Sequence, residues 1–334
     1  MKESLLVTGG TGYIGSHTVV ELITAGYDVE ILDNLYNSKI EVLDQIEQLT
    51  GVKPKFYEVD LRDSEALANV FAGKKYDAVM HFAGLKAVSE STKKPLKYYE
   101  NNLGGTFNLL RCMKDYSVKK LIFSSSATVY GDQPSPFNET LPTGEKISSP
   151  YGRAKYMIEE ILKDLCASDL GFSVAILRYF NPAGAHPSGL IGEDPNDKPN
   201  NLMPIIMKVA TGEFPELLVY GDDYNTPDGS CIRDYLHVVD LARGHLAALK
   251  HIQPGWTAYN LGSGEGTSVF DMITAFEQAS GKKLPYKVVE RRAGDLAAFY
   301  ADSTKAQTEL DWQTEFDIND IMRDTLNYLD HQNG

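Results

Sequence analysis

Cysteine is scarce in this chain. There are three among 334 residues, Cys112, Cys166 and Cys231, far apart and odd in number. That excludes a disulfide scaffold, and without metal-ligand spacing no metal site is expected, so the chemistry points to a reducing compartment. Positive charge is also in deficit: 32 Lys and Arg stand against 46 Asp and Glu, a net charge of −14. Bulk attraction to nucleic acid or to an anionic membrane is thereby excluded, although a few local arginines can still hold a small anion. No apolar run approaches the length of a membrane span. Ser4–Val7 runs at once into glycines, which is no signal-peptide pattern, and there are no repeats or low-complexity tracts. The expectation is a soluble cytoplasmic protein. Its apolar content of 43% suffices for one large or two ordinary cores.

The first half alternates short apolar runs with longer helical patterns. The runs Ser4–Thr8, Asp28–Leu32, Lys55–Val59, Asp77–Phe82, Lys120–Ser124 and Phe172–Arg178 read as strands. Strands that are apolar throughout and separated by helices form a parallel sheet covered on both faces. Right-handed crossovers then give an α/β, Rossmann-type doubly wound sheet. After residue 180 the stretches NPAGAHPSG and IGEDPNDKPNN, rich in Pro, Gly and Asn, read as irregular connection. Helices are expected near 202–211, 238–251, 268–279 and 317–330, with strands at 217–220 and 258–261. The sequence is therefore divided into residues 1–180, with six strands, and a smaller mixed α/β unit at 181–334. The boundary is soft, because later strands can return to the first sheet.

The string TGGTGYIG, residues 8–15, lies between the first strand and first helix. It fits both GxGxxG (Gly10, Gly12, Gly15) and GxxGxxG (Gly9, Gly12, Gly15). Glycines there let the backbone turn tightly and approach a pyrophosphate resting on the helix N-terminus. Asp33 ends the second strand at about the 20-residue spacing of a ribose-binding acid. A carboxylate there accepts from a ribose 2′-hydroxyl and repels a 2′-phosphate, and no Arg or Lys follows before Lys39, so NAD is favoured over NADP. The competing reading of Asp33 is an ordinary loop-starting acid.

Two further strings carry chemistry. SSSATVYG, residues 124–131, follows the fifth strand and places Ser126 at a strand C-terminus, the side from which such sheets meet their ligands. SSPYGRAKY, residues 148–156, has Ser149 as N-cap and Pro150 at the first helical position. Tyr151 and Lys155 then share one face. Taken singly, these are a Ser-rich turn and a helix-surface pair. Together, downstream of a dinucleotide turn, Ser126, Tyr151 and Lys155 form an acid–base trio. Moving a tyrosine pKa from about 10 to about 7 needs roughly 4 kcal/mol favouring the phenolate, at ~1.36 kcal/mol per unit. One cation about 6 Å away at an effective dielectric of ~20 supplies nearly 3 kcal/mol, so Lys155 and an oxidised nicotinamide suffice together. Ser126 would hydrogen-bond the substrate oxygen.

The three motifs resemble the extended short-chain dehydrogenase/reductase family. DNLYNSK (33–39), HFAGLKAVSES (81–91), YYENNLGGT (98–106), RYFNPAGAHPSG (178–189), PNNLMP (199–204), RDYLHVVDLA (233–242) and RRAGDLAAFYAD (291–302) narrow the resemblance to its nucleotide-sugar 4-epimerase branch along nearly the whole chain. That resemblance implies reversible C4 epimerisation of UDP-glucose and UDP-galactose, part of galactose metabolism, through a transient 4-keto sugar with tightly bound NAD. Tyr151 would take the 4-hydroxyl proton while C4 gives up hydride. The keto sugar would turn about its phosphate link, and hydride and proton would return to the other face.

By match to the family, the cofactor would be held by Gly9, Gly12, Tyr13, Ile14 and Gly15, and by Asp33, Asn34, Asn37 and Ser38. Asp60, Leu61, Phe82, Ala83, Gly84, Lys86, Asn101 and Phe180 complete that set with the trio. Asp60 would sit beside adenine, though alone it reads equally as a helix cap. The nucleotide sugar would meet Ser126, Tyr151, Asn181, Asn201, Leu202, Tyr220, Arg233, Arg292, Asp295 and Phe299. Guanidinium pairs bidentately with phosphate oxygens, which suits Arg233 and Arg292; a structural salt bridge is the alternative. Phe299 departs from the tyrosine common in bacterial members. It keeps the bulk of the sugar wall without the hydroxyl, so poor use of N-acetylhexosamines is expected, with plain core packing as the competing reading. A homodimer is implied, with the helices near 95–115 and 150–166 in contact.

Two relatives of the reaction and one non-enzyme remain as rivals. A 4,6-dehydratase carries Asp-Glu after the hydroxyl position, whereas this chain has Ala127-Thr128. A plain alcohol dehydrogenase would release its nicotinamide each turn. A non-catalytic NAD sensor has no use for an intact trio, and would tolerate Tyr151→Phe.

Overall fold

The computed structural model describes residues 2–169, 171–196, 201–292 and 294–333. Residues 197–200, and with them the start of the PNNLMP string, lie outside the described residues, as does Ala293 of RRAGDLAAFYAD.

Strands β1 (Ser4–Thr8), β2 (Asp28–Asp33), β3 (Lys55–Glu58), β4 (Ala78–His81), β5 (Lys120–Ser126) and β6 (Ser173–Tyr179) alternate with helices α1 (Tyr13–Thr24), α2 (Val42–Thr50), α3 (Ser64–Gly73), α4 (Val88–Lys93), α5 (Pro95–Asp115) and α6 (Pro150–Ser168). The sheet order is β3-β2-β1-β4-β5-β6, completed beyond β6 by a seventh strand, Gly255–Leu261. All pairings are parallel, with Val7 opposite both Ile31 and Met80. The continuous apolar runs are explained by the pleat. Val7, Ile31, Met80 and Ile122 face a core shared with α1, α2 and the Val238–His251 helix, whereas Leu6, Leu32, Val79 and Leu121 face α3, α5 and α6. Each such fully buried side chain contributes about 1.5–3 kcal/mol relative to exposure.

The six-strand count from the sequence is one short. Ala258–Leu261 was legible as a strand, but not its partner: it runs beside β6 with Ala258 opposite Ile176 and Leu261 opposite Tyr179. Without it, β6 would present an unpaired edge. The remaining elements pack around a separate core of Met203, Ile206, Leu217, Val219, Met272, Phe276, Ile321 and Met322.

Two features place the site. The order reverses between β1 and β4, and at such a switch point ligands bind beyond the strand C-termini. The site helix α6 begins where the sequence predicts: Ser149 Oγ accepts from Gly152 N at 3.1 Å, with Pro150 at the first helical position. α3 is capped by Asp63, which accepts from Ala66 N, and not by Asp60.

Candidate active site

The glycine turn closes on itself. A Cβ at Gly15 would stand 2.2 Å from Gly9 O, and Gly9, at φ +74°, would bring one within 2.6 Å of Ala83 N. These two positions need glycine for packing. At Gly12 the case is different: φ is −71° and a Cβ would meet only Gly9 O, at 3.3 Å. A side chain there would stand in the concavity before α1, whose first turn has no side-chain cap and no acidic residue. Uncapped N–H groups facing an open concavity suit a pyrophosphate, so the residues present fit a dinucleotide.

Asp33, buried at the end of β2, accepts from Leu35 N at 3.0 Å and from Thr11 N and Ser38 Oγ at 3.3 Å. Its carboxylate keeps acceptor capacity for ribose hydroxyls. Asn34 donates to Asp60 at 2.9 Å, and the bidentate Arg62 guanidinium holds the Asp60 carboxyl well below the usual carboxylate range. Leu61 is buried against Gly105. Phe82 and Ala83 both donate their N–H to Thr8 O, and the Phe82 ring packs on His245 at 4.7 Å. Gly84 lies against Asn102, which also accepts from Asn101 Nδ2 at 2.9 Å. Tyr13 Oη donates to Gly184 O at 2.7 Å, tying α1 to the second half, while Ile14 packs into the sheet core and Asn37 lies in the loop after β2.

The trio assembles as the sequence predicts, but its electrostatics do not. Burial pushes the Tyr151 phenol up to about 12, and a hydrogen bond with Ser126 only partly offsets this. Burial likewise lowers the Lys155 ammonium to about 8, opposed by Glu159. The Lys155 Nζ sits 5.9 Å from the Tyr151 ring centroid and 4.9 Å from that of Phe123, and donates to Ser124 O. From the sequence, two cations are set against an unsized desolvation cost. In the folded chain that cost dominates: with Lys155 buried and Tyr151 partly so, desolvation keeps the phenol protonated near neutrality.

On the other side, the short strand Ile232–Arg233 pairs with Ala298–Phe299, placing Phe299 opposite Arg233. Arg233 is oriented by the carbonyls of Ile232 and Leu296, at 2.8 and 2.9 Å, and lies 3.5 Å from Asp295. Phe299 packs at a tilt against Phe137 and Phe180, centroids 4.7 and 5.2 Å apart, in an aromatic cluster that begins one residue beyond β6. Arg292 lies 4.2 Å over the Tyr220 ring. Asn181 N donates to Asp234 O, and Leu202 opens the Leu202–Ala210 helix.

Three contributors were not singled out from sequence. Thr128 donates to Ser126 Oγ at 3.0 Å, fixing its rotamer. Glu193 accepts from Lys86 at 3.0 Å and from Asn201 at 3.4 Å, joining the loop after β4 to the start of the Leu202–Ala210 helix. Asp234, beside Arg233, accepts from Ser263 N, Gly264 N and Ala301 N and so clips the strand to two loops. Each lies within a string quoted above or beside a site residue; Thr128 meets its partner two residues away, whereas Lys86 stands 107 residues from Glu193 and Ser263 stands 29 from Asp234.

The NAD dependent epimerase/dehydratase family matches residues 5–262. The UDP-glucose 4-epimerase of Bacillus subtilis (strain 168) is 54% identical over 325 residues, covering 96% of this chain and 95% of its own. The crystal structure of UDP-glucose 4-epimerase from Bifidobacterium longum in complex with NAD+ and UDP has a TM-score of 0.95 and 51% identity, with 99% of each chain covered. That from Stenotrophomonas maltophila, with bound NAD and formylated UDP-arabinopyranose, has a TM-score of 0.96 and 46% identity, again with 99% of each chain covered.

Proposed function

The chain belongs to the NAD dependent epimerase/dehydratase family, and from that premise we infer that it interconverts UDP-glucose and UDP-galactose by inverting C4, with NAD as its resident cofactor. The observation that carries this reading is the Ser126–Tyr151–Lys155 trio at the C-terminal end of β5, with Ser126 and Lys155 buried and Tyr151 partly so; Ser126 stands opposite Tyr179, and the next residue, Phe180, packs on Phe299. The chemistry that bound NAD supplies is reversible acceptance of a hydride from C4.

The residues divide the remaining tasks. Ser126 Oγ, held by Thr128, hydrogen-bonds the sugar 4-oxygen. Tyr151 Oη takes the 4-hydroxyl proton and returns it to the 4-keto sugar after the ring has turned over. Lys155 stabilises the phenolate from one helical turn away. Arg233 and Arg292 grip the diphosphate, with Asn181, Asn201, Leu202, Tyr220 and Asp295 around the uridine and its neighbouring groups. A firm diphosphate grip and a smooth aromatic wall at Phe299 let the sugar rotate while the nucleotide stays fixed. Gly9, Gly12, Tyr13, Ile14 and Gly15 receive the pyrophosphate and Asp33 the ribose, with Asp60 and Asn34 on the adenosine side and Lys86, Asn101, Phe82, Ala83, Gly84 and Phe180 lining the crevice.

In this reading residues 1–180 bind the cofactor and 181–334 the nucleotide sugar. No described helix is long and apolar enough to cross a membrane, and a cytoplasmic location is part of the proposal. So is a homodimer: Leu96 and Phe107 on α5 and Met157 on α6 are exposed at 72, 42 and 41%. Apolar residues on two adjacent helices suit a second copy meeting them as a four-helix contact. Light scattering tests this, with Phe107→Glu expected to halve the mass; a monomeric wild type refutes it.

The function is tested by incubating purified protein with UDP-galactose and no added nicotinamide. UDP-glucose should form without net NADH, and denaturation should release NAD. A protein full of NAD that leaves UDP-galactose unchanged refutes the reading.

A further inference from the structure

One helical turn beyond Lys155 lies Glu159, with no exposed surface at all. A carboxylate so placed is costly unless its oxygens are engaged. Oε1 accepts from Ser125 Oγ at 2.5 Å and Arg178 Nε at 3.0 Å, and Oε2 accepts from Arg178 Nη2 at 2.6 Å. Arg178 is itself 3% exposed, and its Nη1 donates to Tyr130 Oη at 3.0 Å. Tyr130 Oη donates onward to Asn260 Oδ1 at 2.7 Å, and Asn260 Nδ2 donates to Phe137 O at 2.8 Å. Every member neighbours a site residue. Ser125 precedes Ser126, Tyr130 closes the turn that follows it, and Arg178 stands two residues before Phe180. Phe137 packs on Phe299, and Glu159 is four residues from Lys155.

We propose that the Glu159–Arg178 ion pair is the positioning element of the trio: it locks the end of β5, and with it Ser126, to α6, and sets its carboxylate one helical turn from the Lys155 ammonium that lies beside Tyr151. This rests on the catalytic reading of the trio given above. Stability alone does not call for the pair, since a buried ion pair is often replaceable by apolar residues without loss.

The surroundings of Lys155 leave the task to Glu159. Tyr151 and Glu159 face it from α6, Phe123 and Ser124 from β5, His81 from β4, and Arg178 and Tyr179 lie alongside on β6. His81 is held neutral, pushed by burial and then by Lys155 down to about 3. Burial also keeps the Tyr179 phenol protonated. Among these described groups Glu159 is the sole anion. Arg178 offsets part of its field, which places its effect at the low end of the one to three units typical of a close opposite charge. Lys155 acts protonated, so a lower Lys155 pKa moves the alkaline loss of turnover to lower pH.

The test compares wild type, Glu159→Gln and Glu159→Asp as NAD-loaded proteins, with melting temperature and NAD content measured beside the pH profile of UDP-galactose turnover. Glu159→Gln keeps shape but not charge, and its alkaline limb should fall by about one pH unit. Glu159→Asp keeps charge but shortens the reach to Ser125 and Arg178. It should hold the wild-type limb and lose about tenfold in kcat with KM little changed. A folded, loaded Glu159→Gln with the wild-type limb overturns the proposal. Should Glu159→Gln not fold, Glu159→Asp carries the test, and wild-type kcat there overturns it. A wild type that converts no UDP-galactose overturns the functional reading as well, so the two failures are distinguishable.

Discussion

Replacing Lys155 by methionine removes a charge while keeping an unbranched stem of similar length. The ammonium lies 5.9 Å from the centre of the Tyr151 ring. At that separation and an effective dielectric of ~20, the lost attraction to the phenolate is about 3 kcal/mol. This corresponds to about two pKa units. Burial, partly offset by the Ser126 hydrogen bond, already holds the phenol up at about 12, so the variant begins further from the working range than a solvated tyrosine would. Where turnover is limited by the phenolate fraction, kcat at neutral pH should fall about a hundredfold, and the loss should shrink as pH rises. The assay is initial UDP-glucose formation from UDP-galactose across pH 6–10, on protein whose NAD content matches wild type. That control matters because Lys155 also donates to Ser124 O and so helps shape the crevice. A loaded Lys155→Met variant within threefold of wild type at pH 7, or one with a pH-independent deficit, refutes the electrostatic role.

The glycine turn offers a paired test. Gly12→Ala should leave the melting temperature nearly unchanged yet release NAD on gel filtration, whereas Gly15→Ala should lower both, because its Cβ would overlap Gly9 O. Equal NAD retention in Gly12→Ala and wild type counts against the pyrophosphate assignment. Glu30, on β2, is raised by burial but lowered more by hydrogen bonds from Tyr76, Lys74 and Tyr57, so its folded pKa lies below the unfolded value. Its contribution is therefore present above about pH 4.3 and lost as pH falls through the folded pKa. Glu30→Gln should cost about 1–3 kcal/mol in urea unfolding at pH 7, with the difference fading in acid; a difference that grows in acid would contradict the sign. Phe299, wedged between Phe137 and Phe180, should make UDP-N-acetylglucosamine a poor substrate. Efficient turnover of that sugar by wild-type protein sinks the wall assignment.

Local chemistry made most of the fold legible. Ser149 and Pro150 mark the start of α6, and the apolar runs mark the first six strands to within one or two residues. Long-range pairing was less so. The Gly255–Leu261 strand reads as a strand, but its place beside β6 depends on an edge that only the assembled sheet creates. Asp60 reads as a possible cap, but the cap of α3 is Asp63, which accepts from Ala66 N. In the site, identity was visible and environment was not. Tyr151 and Lys155 stand out only in combination with the glycine turn and Ser126, while the desolvation that raises one pKa and lowers the other comes from walls contributed by distant segments. The Glu159–Arg178–Tyr130–Asn260 chain was invisible for the same reason, since its links span 19 to 130 residues.

The claim at the centre of this account is that Tyr151 becomes a base only when the loaded site supplies positive charge. Ultraviolet difference titration of wild type against Tyr151→Phe isolates that one phenolate, and is run on protein carrying oxidised NAD and on protein stripped of it. The account predicts that Tyr151 titrates about two pH units lower in the oxidised, loaded protein than in the stripped protein, where it stands at about 12. Coincident titrations in the two states would contradict it.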